Sequence, residues 1–241
     1  MRVGYLTDIG KVREINQDYL FASQELGLFM VADGMGGHAA GEKASQTAVQ
    51  IITEHLTPLV HSTPNGQFLD EIQGAIQEAN RQIINASMED TSMRGMGTTA
   101  TVIVTRDGSM YVGHVGDSRA YLIRNRRIDQ ITDDHSIVAQ LVRARAITPQ
   151  EAARHPYRNV ITRCLGMQVD LEADTQQREL KSGDRLLICS DGLSGLVSDD
   201  EMLQHVVSSD EPQKTCEDLV QLALERGGSD NISVVLIYNE D

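Results

Sequence analysis

Aspartates stand beside apolar stretches at four places in this 241-residue sequence. Asp33, Asp117 and Asp191 each follow an apolar run and precede glycine or serine, whereas Asp230 comes just before the apolar run 232–238. Aspartate beside glycine is also an ordinary turn pair, so a turn explains any one of these sites equally well. Four aspartates at the ends of buried strands indicate more, because a carboxylate there must be paired or bind a metal.

A cluster of such carboxylates is suited to divalent metal ions. Clustered carboxylates repel one another and raise each other's pKa unless a cation neutralises them. Oxygen ligands favour hard ions, Mg²⁺ or Mn²⁺, over zinc. Two such ions about 3.5–4 Å apart, sharing a carboxylate and a water, form a common hydrolytic centre. Cys164, Cys189 and Cys216 have no C-x-x-C spacing and indicate neither a disulfide framework nor a cysteine zinc site.

Hydrophobic periodicity predicts the elements that would position these residues. The first strands are expected as a hairpin of residues 3–7 and 19–23 around a turn near Gly10, followed by a buried strand at 28–32. Amphipathic helices are predicted near residues 44–59, 68–83, 201–207 and 213–226, and short helices at 136–145 and 149–154. Further strands are predicted at 98–104, 110–115, 120–123, 127–131, 174–179, 185–189 and 232–238.

Two blocks of strands, each with a helix pair, predict an α+β fold. The expected architecture is a four-layer α-β-β-α sandwich, in which two mainly antiparallel sheets pack together between the helix pairs. The sequence has no Gly/Ser-rich or Pro-rich linker, so we expect one domain over residues 1–241.

Residues 136–166 differ in charge from the rest of the chain. They contain five arginines against the single Glu151, namely Arg143, Arg145, Arg154, Arg158 and Arg163. This local reversal of sign predicts a small flap subdomain that meets an anionic partner. An ordinary solvated surface is the alternative.

The overall charge of −14 excludes several kinds of partner. A nucleic-acid binder needs a basic face, so no nucleic-acid partner is expected, and docking on an anionic membrane is equally disfavoured. The first residues lack the apolar core of a signal peptide, and no apolar run approaches the ~20 residues of a membrane span. We therefore expect a cytoplasmic protein and a monomer.

Six short motifs stand in order along the chain and carry a family resemblance. They are Gly10 and Arg13 with Asn16-Gln17-Asp18; Val31-Ala32-Asp33-Gly34-Met35-Gly36-Gly37; Met96-Gly97-Thr98-Thr99; Val115-Gly116-Asp117-Ser118-Arg119; Cys189-Ser190-Asp191-Gly192-Leu193; and Gly228-Ser229-Asp230-Asn231. Together they resemble the PP2C-type (PPM) serine/threonine protein phosphatases in their compact bacterial form. The resemblance extends over residues 4–238.

The resemblance implies a metal-dependent phosphatase with Mg²⁺ or Mn²⁺, two core ions and a third. Its substrates would be phosphoserine and phosphothreonine in proteins, hydrolysed in one step by a bridging, metal-activated water without a phosphoenzyme. Asp33 would bridge the two core ions, and the Gly34 carbonyl would be a further ligand. Asp191 and Asp230 would complete the first ion's shell, and Asp117 with Asp191 would hold the third ion.

The resemblance also implies roles in substrate binding and proton transfer. Arg13 would grip the substrate phosphate with its forked guanidinium, and Asp18 would orient metal-bound waters. The positive charge of the flap, rather than the resemblance, makes Arg143 and Arg145 candidate substrate-binding residues.

The general acid is less directly implied. Animal members of the family carry a histidine at the position of Met35, so His38 is the candidate acid for the leaving oxygen. Some bacterial relatives carry a flap histidine where this chain has Asn159. The remaining histidines are expected to be structural or on the surface; they are His55, His61, His114, His135, His155 and His205.

Three other interpretations are weighed against this one. Residues 34–39 fit G-x-G-x-x-[GA] with Glu54 downstream, as in dinucleotide-binding enzymes, but Asp33 would then face a pyrophosphate. A serine hydrolase using Ser118 or Ser194 lacks the G-x-S-x-G elbow. The third is a metal-binding or interaction module without activity, against which the intact set of four aspartates and Arg13 argues.

Overall fold

The structure is a computed structural model that describes residues 1–37, 40–64 and 67–240. The strands are β1 (Arg2–Asp8), β2 (Asp18–Ser23), β3 (Leu28–Met35), β4 (Gly97–Thr98), β5 (Ala100–Arg106), β6 (Ser109–Val115), β7 (Arg119–Arg124), β8 (Arg127–Gln130), β9 (Asp174–Glu179), β10 (Arg185–Cys189) and β11 (Ile232–Tyr238). The helices are α1 (Ala40–Leu56), α2 (Phe68–Glu89), α3 (Ile137–Arg143), α4 (Pro149–Ala152), α5 (Asp191–Ser194), α6 (Asp199–Ser208) and α7 (Pro212–Glu225).

The strands form two sheets. The first has the order β1-β11-β10-β7-β8, and the second has the order β2-β3-β5-β6-β9 with β4 added beside β3. Every strand pair in the described part of the chain is antiparallel. The predicted α+β class with two antiparallel sheets is therefore confirmed.

Three apolar layers show how the sheets and helices stack. Helices α1 and α2 cover the outer face of the second sheet, and α6 and α7 cover that of the first. Residues of both sheets fill the layer between them, among them Phe29, Ile103, Val112, Ile188 and Val235. Strand β11 shows the alternation, because Val234 and Leu236 pack toward the helices while Val235 and Ile237 pack toward the other sheet. The layer order is the predicted α-β-β-α.

The predicted hairpin of the first two strands is wrong. Strand β1 pairs with β11, from Arg2↔Tyr238 to Asp8↔Ile232, whereas β2 pairs with β3 in the other sheet. Hydrophobic periodicity predicts a strand but not the strand with which it pairs. Strand β11 is an interior strand that is buried along its length, so its backbone needs a hydrogen-bonding neighbour on each side. Residues 9–17 therefore cross from one sheet to the other.

Residues 136–166, the predicted flap, contain α3 and α4. The segment is tied to the rest of the fold by a β-bridge between Thr98 and Leu165, and its own two ends are joined by a bridge between Ser136 and Ile161. Helix α4 begins with a capping box between Thr148 and Glu151.

None of the helices in the described ranges combines the length and the apolar character that crossing a membrane requires.

Candidate metal centre

The predicted carboxylates converge from both sheets. Asp18 and Asp33 face each other as paired residues of β2 and β3. Asp117 follows β6, Asp191 begins α5 after β10, and Asp230 precedes β11. Asp33 interacts electrostatically with each of the other four. The fold thus brings together the four aspartates at strand ends and the Asp18 that the family motif added.

Burial and mutual repulsion disfavour the charged forms of these carboxylates. Burial is the main cause in each case: it raises the pKa of Asp18 to about 7 and that of Asp117 to about 8. The pKa of Asp33 is raised well above its usual value and that of Asp191 is raised too, in both cases also by neighbouring carboxylates. Both side chains keep some surface open to solvent, so an ion can reach them. A bound cation would relieve this repulsion.

The donor set fits hard divalent cations. In the described ranges, two buried side-chain oxygens have no hydrogen-bond partner, Oδ1 of Asp18 and Oδ1 of Asp117. A buried carboxylate oxygen without a donor is costly, so each of these atoms calls for a cation or a water. The same ranges hold no group of three His, Cys, Asp or Glu side chains already arranged as a metal site. The fit therefore depends on the oxygen chemistry and charge of the cluster.

Backbone contacts fix Asp33 and Gly34 at the middle of the cluster. The Asp33 N–H donates to Oγ1 of Thr99 at 2.8 Å, and the Asp33 carbonyl accepts from the Thr99 N–H and from Thr98 Oγ1, each at 2.9 Å. Gly34 lies so close to Gly41 of α1 that a Cβ would collide with the Gly41 carbonyl oxygen. A side chain at residue 34 would therefore push α1 away from the site.

Arg13, the predicted phosphate-binding residue, lies beside Asp230 of the cluster. Its Nη2 donates to Oδ2 of Asp230 at 2.7 Å, and this contact raises the pKa of Arg13. The side chain remains 48% exposed, so the guanidinium can also meet a ligand from solvent. Asn231 holds the loop that carries Arg13, because its side-chain amide donates to the carbonyls of Ile9 and Ile15.

Several hydroxyl groups contact the aspartates or connect their turns, and the sequence did not single them out as functional residues. Ser190 Oγ donates to Oδ2 of Asp18 at 2.7 Å and accepts from the Ser233 N–H at 3.0 Å. Thr99 Oγ1 also contacts Ser118 Oγ at 2.7 Å, which connects the strand of Asp33 to the turn of Asp117. Ser118 and Ser190 stand next to Asp117 and Asp191 in the sequence, and Thr99 lies in the motif Met96-Gly97-Thr98-Thr99, so membership of the motifs was the available signal.

The predicted general acid, His38, lies outside the described residues. Two of the other histidines, His114 and His135, are buried side by side with ring centroids 4.8 Å apart. Burial lowers the pKa of His114 to about 4 and also lowers the pKa of His135.

A cavity of about 630 Å³ lies between the flap and the aspartate cluster. Asp117 and Asp191 open onto it, and so does the ion pair of Arg119 with Asp134, whose Nη2–Oδ2 distance is 2.7 Å. Residues of α3 and α4 form the opposite wall, including Arg143. The cavity is thus continuous with the candidate centre.

The two predicted substrate-binding arginines of the flap differ in position. Arg143 lines the cavity, and its Nη1 lies 3.9 Å from Oδ1 of Asp133. Arg145 is exposed just beyond α3, with a φ of 56°, and does not line the cavity.

Comparison with known proteins identifies the family. A sequence model of the Protein phosphatase 2C family matches residues 11–230. The chain belongs to this family, which confirms the family predicted from its motifs. The dinucleotide-binding interpretation is further contradicted by the antiparallel sheets and by Glu54, which lies within α1 rather than at a strand end.

Similar proteins cover the whole chain. The serine/threonine phosphatase stp of Listeria monocytogenes is 34% identical over 243 residues, which cover 100% of this chain and 96% of that protein. The crystal structure of the Mycobacterium tuberculosis serine/threonine phosphatase PstP/Ppp matches with a TM-score of 0.91 and 39% identity, covering 100% of this chain and 99% of that one. A structure of the PstP catalytic domain in complex with two manganese ions matches with a TM-score of 0.90 and 38% identity, covering 100% and 98%.

Proposed function

We propose that this chain hydrolyses phosphoserine and phosphothreonine in proteins, using two Mg²⁺ or Mn²⁺ ions and a third, in one step and without a phosphoenzyme. The observation that carries the proposal is the convergence of five aspartates, two of them with buried, unpartnered oxygens, beside the half-exposed Arg13. The two manganese ions in the PstP catalytic domain support the choice of metal.

The residues of the chain divide the work of this reaction. Asp33, Asp191 and Asp230, with the carbonyl of Gly34, would hold the core ions, and Asp117 with Asp191 would hold the third. Such ions would supply a water with its pKa lowered to ~7 and would neutralise charge on the phosphoryl oxygens.

Two charged residues would orient the reactants around these ligands. Asp18 accepts a hydrogen bond from Ser190 through one oxygen and leaves Oδ1 free to orient a water. Arg13 contacts Asp230 through one nitrogen, so its other N–H groups can donate to phosphate oxygens. His38 stays the candidate acid for the leaving oxygen.

Hydrolysis of an aryl phosphate with and without metal tests this function. Activity should disappear after complete chelation and return with Mn²⁺, because the chain offers no nucleophile of its own in this mechanism. Transfer from a chiral phosphoryl group should proceed with inversion, as a single in-line attack requires. Activity that survives complete metal removal would contradict the proposal, and labelling of Ser118 or Ser194 by a fluorophosphonate would favour a serine hydrolase.

Arg13→Ala should chiefly weaken substrate binding. A charge-assisted hydrogen bond contributes about 1.5–3 kcal/mol, so we expect KM for a phosphorylated substrate to rise about 10–100-fold. Arg13→Lys should recover only part of the loss, because lysine keeps the charge but not the forked geometry. Steady-state kinetics measure both variants, with Lys11→Ala on the same exposed loop as the control. An unchanged KM in Arg13→Ala would refute the phosphate contact.

The flap arginines should affect protein substrates more than small ones. Arg143→Ala should raise KM for a phosphoprotein by about 2–5-fold, the range of an exposed ion pair, and leave aryl phosphate turnover unchanged. Arg145→Ala should do less, because Arg145 stands outside the cavity. Arg178→Ala, on exposed β9, is the control. Equal effects on both kinds of substrate would mean that the flap is not a docking surface.

A further inference from the structure

His135 makes hydrogen bonds to both the N–H and the carbonyl oxygen of Gly116, the residue immediately before Asp117. The Gly116 N–H donates to Nδ1 of His135 at 3.0 Å. In return, the His135 N–H donates to the Gly116 carbonyl oxygen at 2.8 Å. Both residues are buried, and the His135 side chain is 4% exposed. His135 therefore acts on Gly116 through its ring and its backbone together.

The turn at Gly116 needs such support. Its φ of +114° is a conformation that residues with a side chain rarely adopt, and a Cβ there would lie 2.5 Å from Cγ2 of Thr99. A backbone in such a conformation persists only where its surroundings impose it. On the far side of Asp117, the Ser118 hydroxyl is held by Thr99. Asp117 thus stands between two fixed residues.

The carboxylate of Asp117 depends on this backbone for its direction. Its Oδ1 is buried and has no hydrogen-bond partner in the described ranges, so no protein donor aims that oxygen. The position of the carboxylate is then set largely by the peptide that precedes it. A shift of Gly116 would move Oδ1 away from the centre of the cluster.

The hydrogen bonds assign the tautomer of His135. Because a backbone N–H donates to Nδ1, that nitrogen carries no proton, and the proton is on Nε2. Nε2–H donates to Oδ2 of Asp174 at 3.0 Å, and Oδ1 of Asp174 accepts from Nη1 of Arg163 at 2.5 Å. The His135 carbonyl accepts from the Thr162 N–H at 2.7 Å. His135 is therefore connected to the last residues of the flap as well as to Gly116.

We propose that His135 is the positioning residue of Asp117: its unprotonated Nδ1 holds the Gly116 peptide so that the Asp117 carboxylate points into the metal centre. Asp174 fixes the ring through Nε2, and Arg163 and Thr162 extend the connection to the flap. His135 would thus do more than the structural role expected from the sequence. It rests on the proposed function in one respect, the assignment of Asp117 to a metal ion.

Three substitutions separate the two ends of the ring. His135→Asn places an amide oxygen where Nδ1 was and keeps the acceptor for Gly116. His135→Gln reaches toward Asp174 but leaves no acceptor at the Nδ1 position, and His135→Ala removes both. Amide hydrogen exchange of Gly116, measured by NMR on chelator-treated protein, should be faster than wild type in the Gln and Ala variants and near wild type in Asn. This readout involves neither ion nor substrate.

Mn²⁺ binding tests the consequence for Asp117. Isothermal titration calorimetry of the wild type and of Asp117→Ala identifies the binding step that belongs to Asp117. In the Gln and Ala variants this step should weaken about 10–100-fold, the usual effect of removing a residue that orients a ligand. His135→Asn should restore it to near the wild-type affinity, a rescue that a role in bulk packing alone would not give.

Several results would overturn the positioning role. Wild-type Mn²⁺ affinity and wild-type Gly116 exchange in His135→Gln would do so, and so would an Asn variant as impaired as Ala. If His135→Ala does not fold, the comparison of Asn with Gln decides, because both are polar and close in size. The positioning role would also be overturned if wild-type protein and Asp117→Ala bound Mn²⁺ alike, since no binding step would then belong to Asp117. If the wild-type protein binds Mn²⁺ as expected but shows no phosphatase activity, that result would count against the proposed function alone.

Discussion

Asp191→Ala and Asp230→Ala should each lower turnover of a phosphorylated substrate by at least about 10³-fold, or roughly 4 kcal/mol of transition-state stabilisation. Each substitution removes a carboxylate from the set that would hold the ion next to the attacking water. Asp230 also carries the contact with Arg13, so its loss frees the guanidinium as well. Both variants should bind fewer Mn²⁺ ions than the wild type.

Asp191→Asn distinguishes loss of the ligand from loss of the fold. The amide keeps the shape of the carboxylate but removes one negative charge from a cluster in which the charged forms are disfavoured. Metal-stripped Asp191→Asn should therefore be at least as stable as metal-stripped wild type, although its activity is lost. A protein that is folded, at least as stable and inactive has lost a ligand rather than its structure.

The measurement combines kinetics at saturating Mn²⁺, Mn²⁺ stoichiometry by calorimetry and thermal unfolding with chelator. Asp129→Ala, on the exposed edge strand β8, serves as the control for removal of an aspartate that is not part of the cluster. Near-normal turnover in either alanine variant would remove that residue from the ligand set. Lower stability of metal-stripped Asp191→Asn would mean that Asp191 contributes favourable contacts that outweigh the repulsion.

The aspartates could be predicted because they combine two signals that the sequence carries. Each is a charged residue at the end of an apolar run, and such a position rarely has a purely local explanation. The layer order could be predicted because two blocks of strands, each with a helix pair, cannot bury their apolar faces in a single layer. These features depend on residue type and period, which are local.

The partner of β1 could not be predicted in this way. Its period-2 pattern fits β2 as well as β11, and the choice depends on which neighbour the buried β11 lacks. The contact between Arg13 and Asp230 could not be predicted either, because the two residues lie 217 positions apart in the sequence. Such contacts follow from the completed fold rather than from any local pattern.

Neutral positioning groups were hidden for a different reason. Ser190, Thr99 and His135 act through hydrogen bonds to a carboxylate of the cluster or to backbone groups at or beside one. A hydroxyl or an imidazole in an otherwise apolar segment is common in any core, so composition does not set these residues apart. Only the geometry shows that each one contacts an aspartate of the cluster or the residue next to one.

Metal-stripped protein should lose stability as the pH rises from about 6.5 to 8, and Mn²⁺ should reverse this slope. The folded state raises the pKa of Asp18 to about 7 and that of Asp117 to about 8, whereas an unfolded chain has aspartates near ~3.9. Between these values the folded protein binds protons that the unfolded chain has released. Raising the pH therefore favours unfolding, by on the order of 2 kcal/mol across this window.

Between pH 6.5 and 8, the buried histidines and the buried aspartates affect stability in opposite directions. The pKa of His114 is lowered to about 4 and that of His135 is lowered as well, so the unfolded chain binds their protons more readily. These two groups make stability rise with pH until their unfolded forms, with a pKa of ~6.5, have lost their protons at about pH 7.5. The three buried cysteines, whose pKa values are raised by burial, add a small loss of stability toward pH 8. The part of the slope that disappears in Asp18→Asn and Asp117→Asn therefore reports the buried aspartates.

Mn²⁺ should change the sign because an ion replaces protons in the cluster. Ion binding requires deprotonated carboxylates, so affinity rises with pH, and a ligand at 100 times its Kd adds about 2.7 kcal/mol of stability.

Urea unfolding at several pH values between 6.5 and 8, with chelator or with Mn²⁺, measures both slopes. Asp18→Asn and Asp117→Asn should each flatten the slope in chelator, because each removes one group with a raised pKa. A wild-type protein that becomes more stable across the window in chelator would mean that its carboxylates are ionised in the folded state without metal. Charge repulsion within the cluster would then not be what a divalent ion relieves.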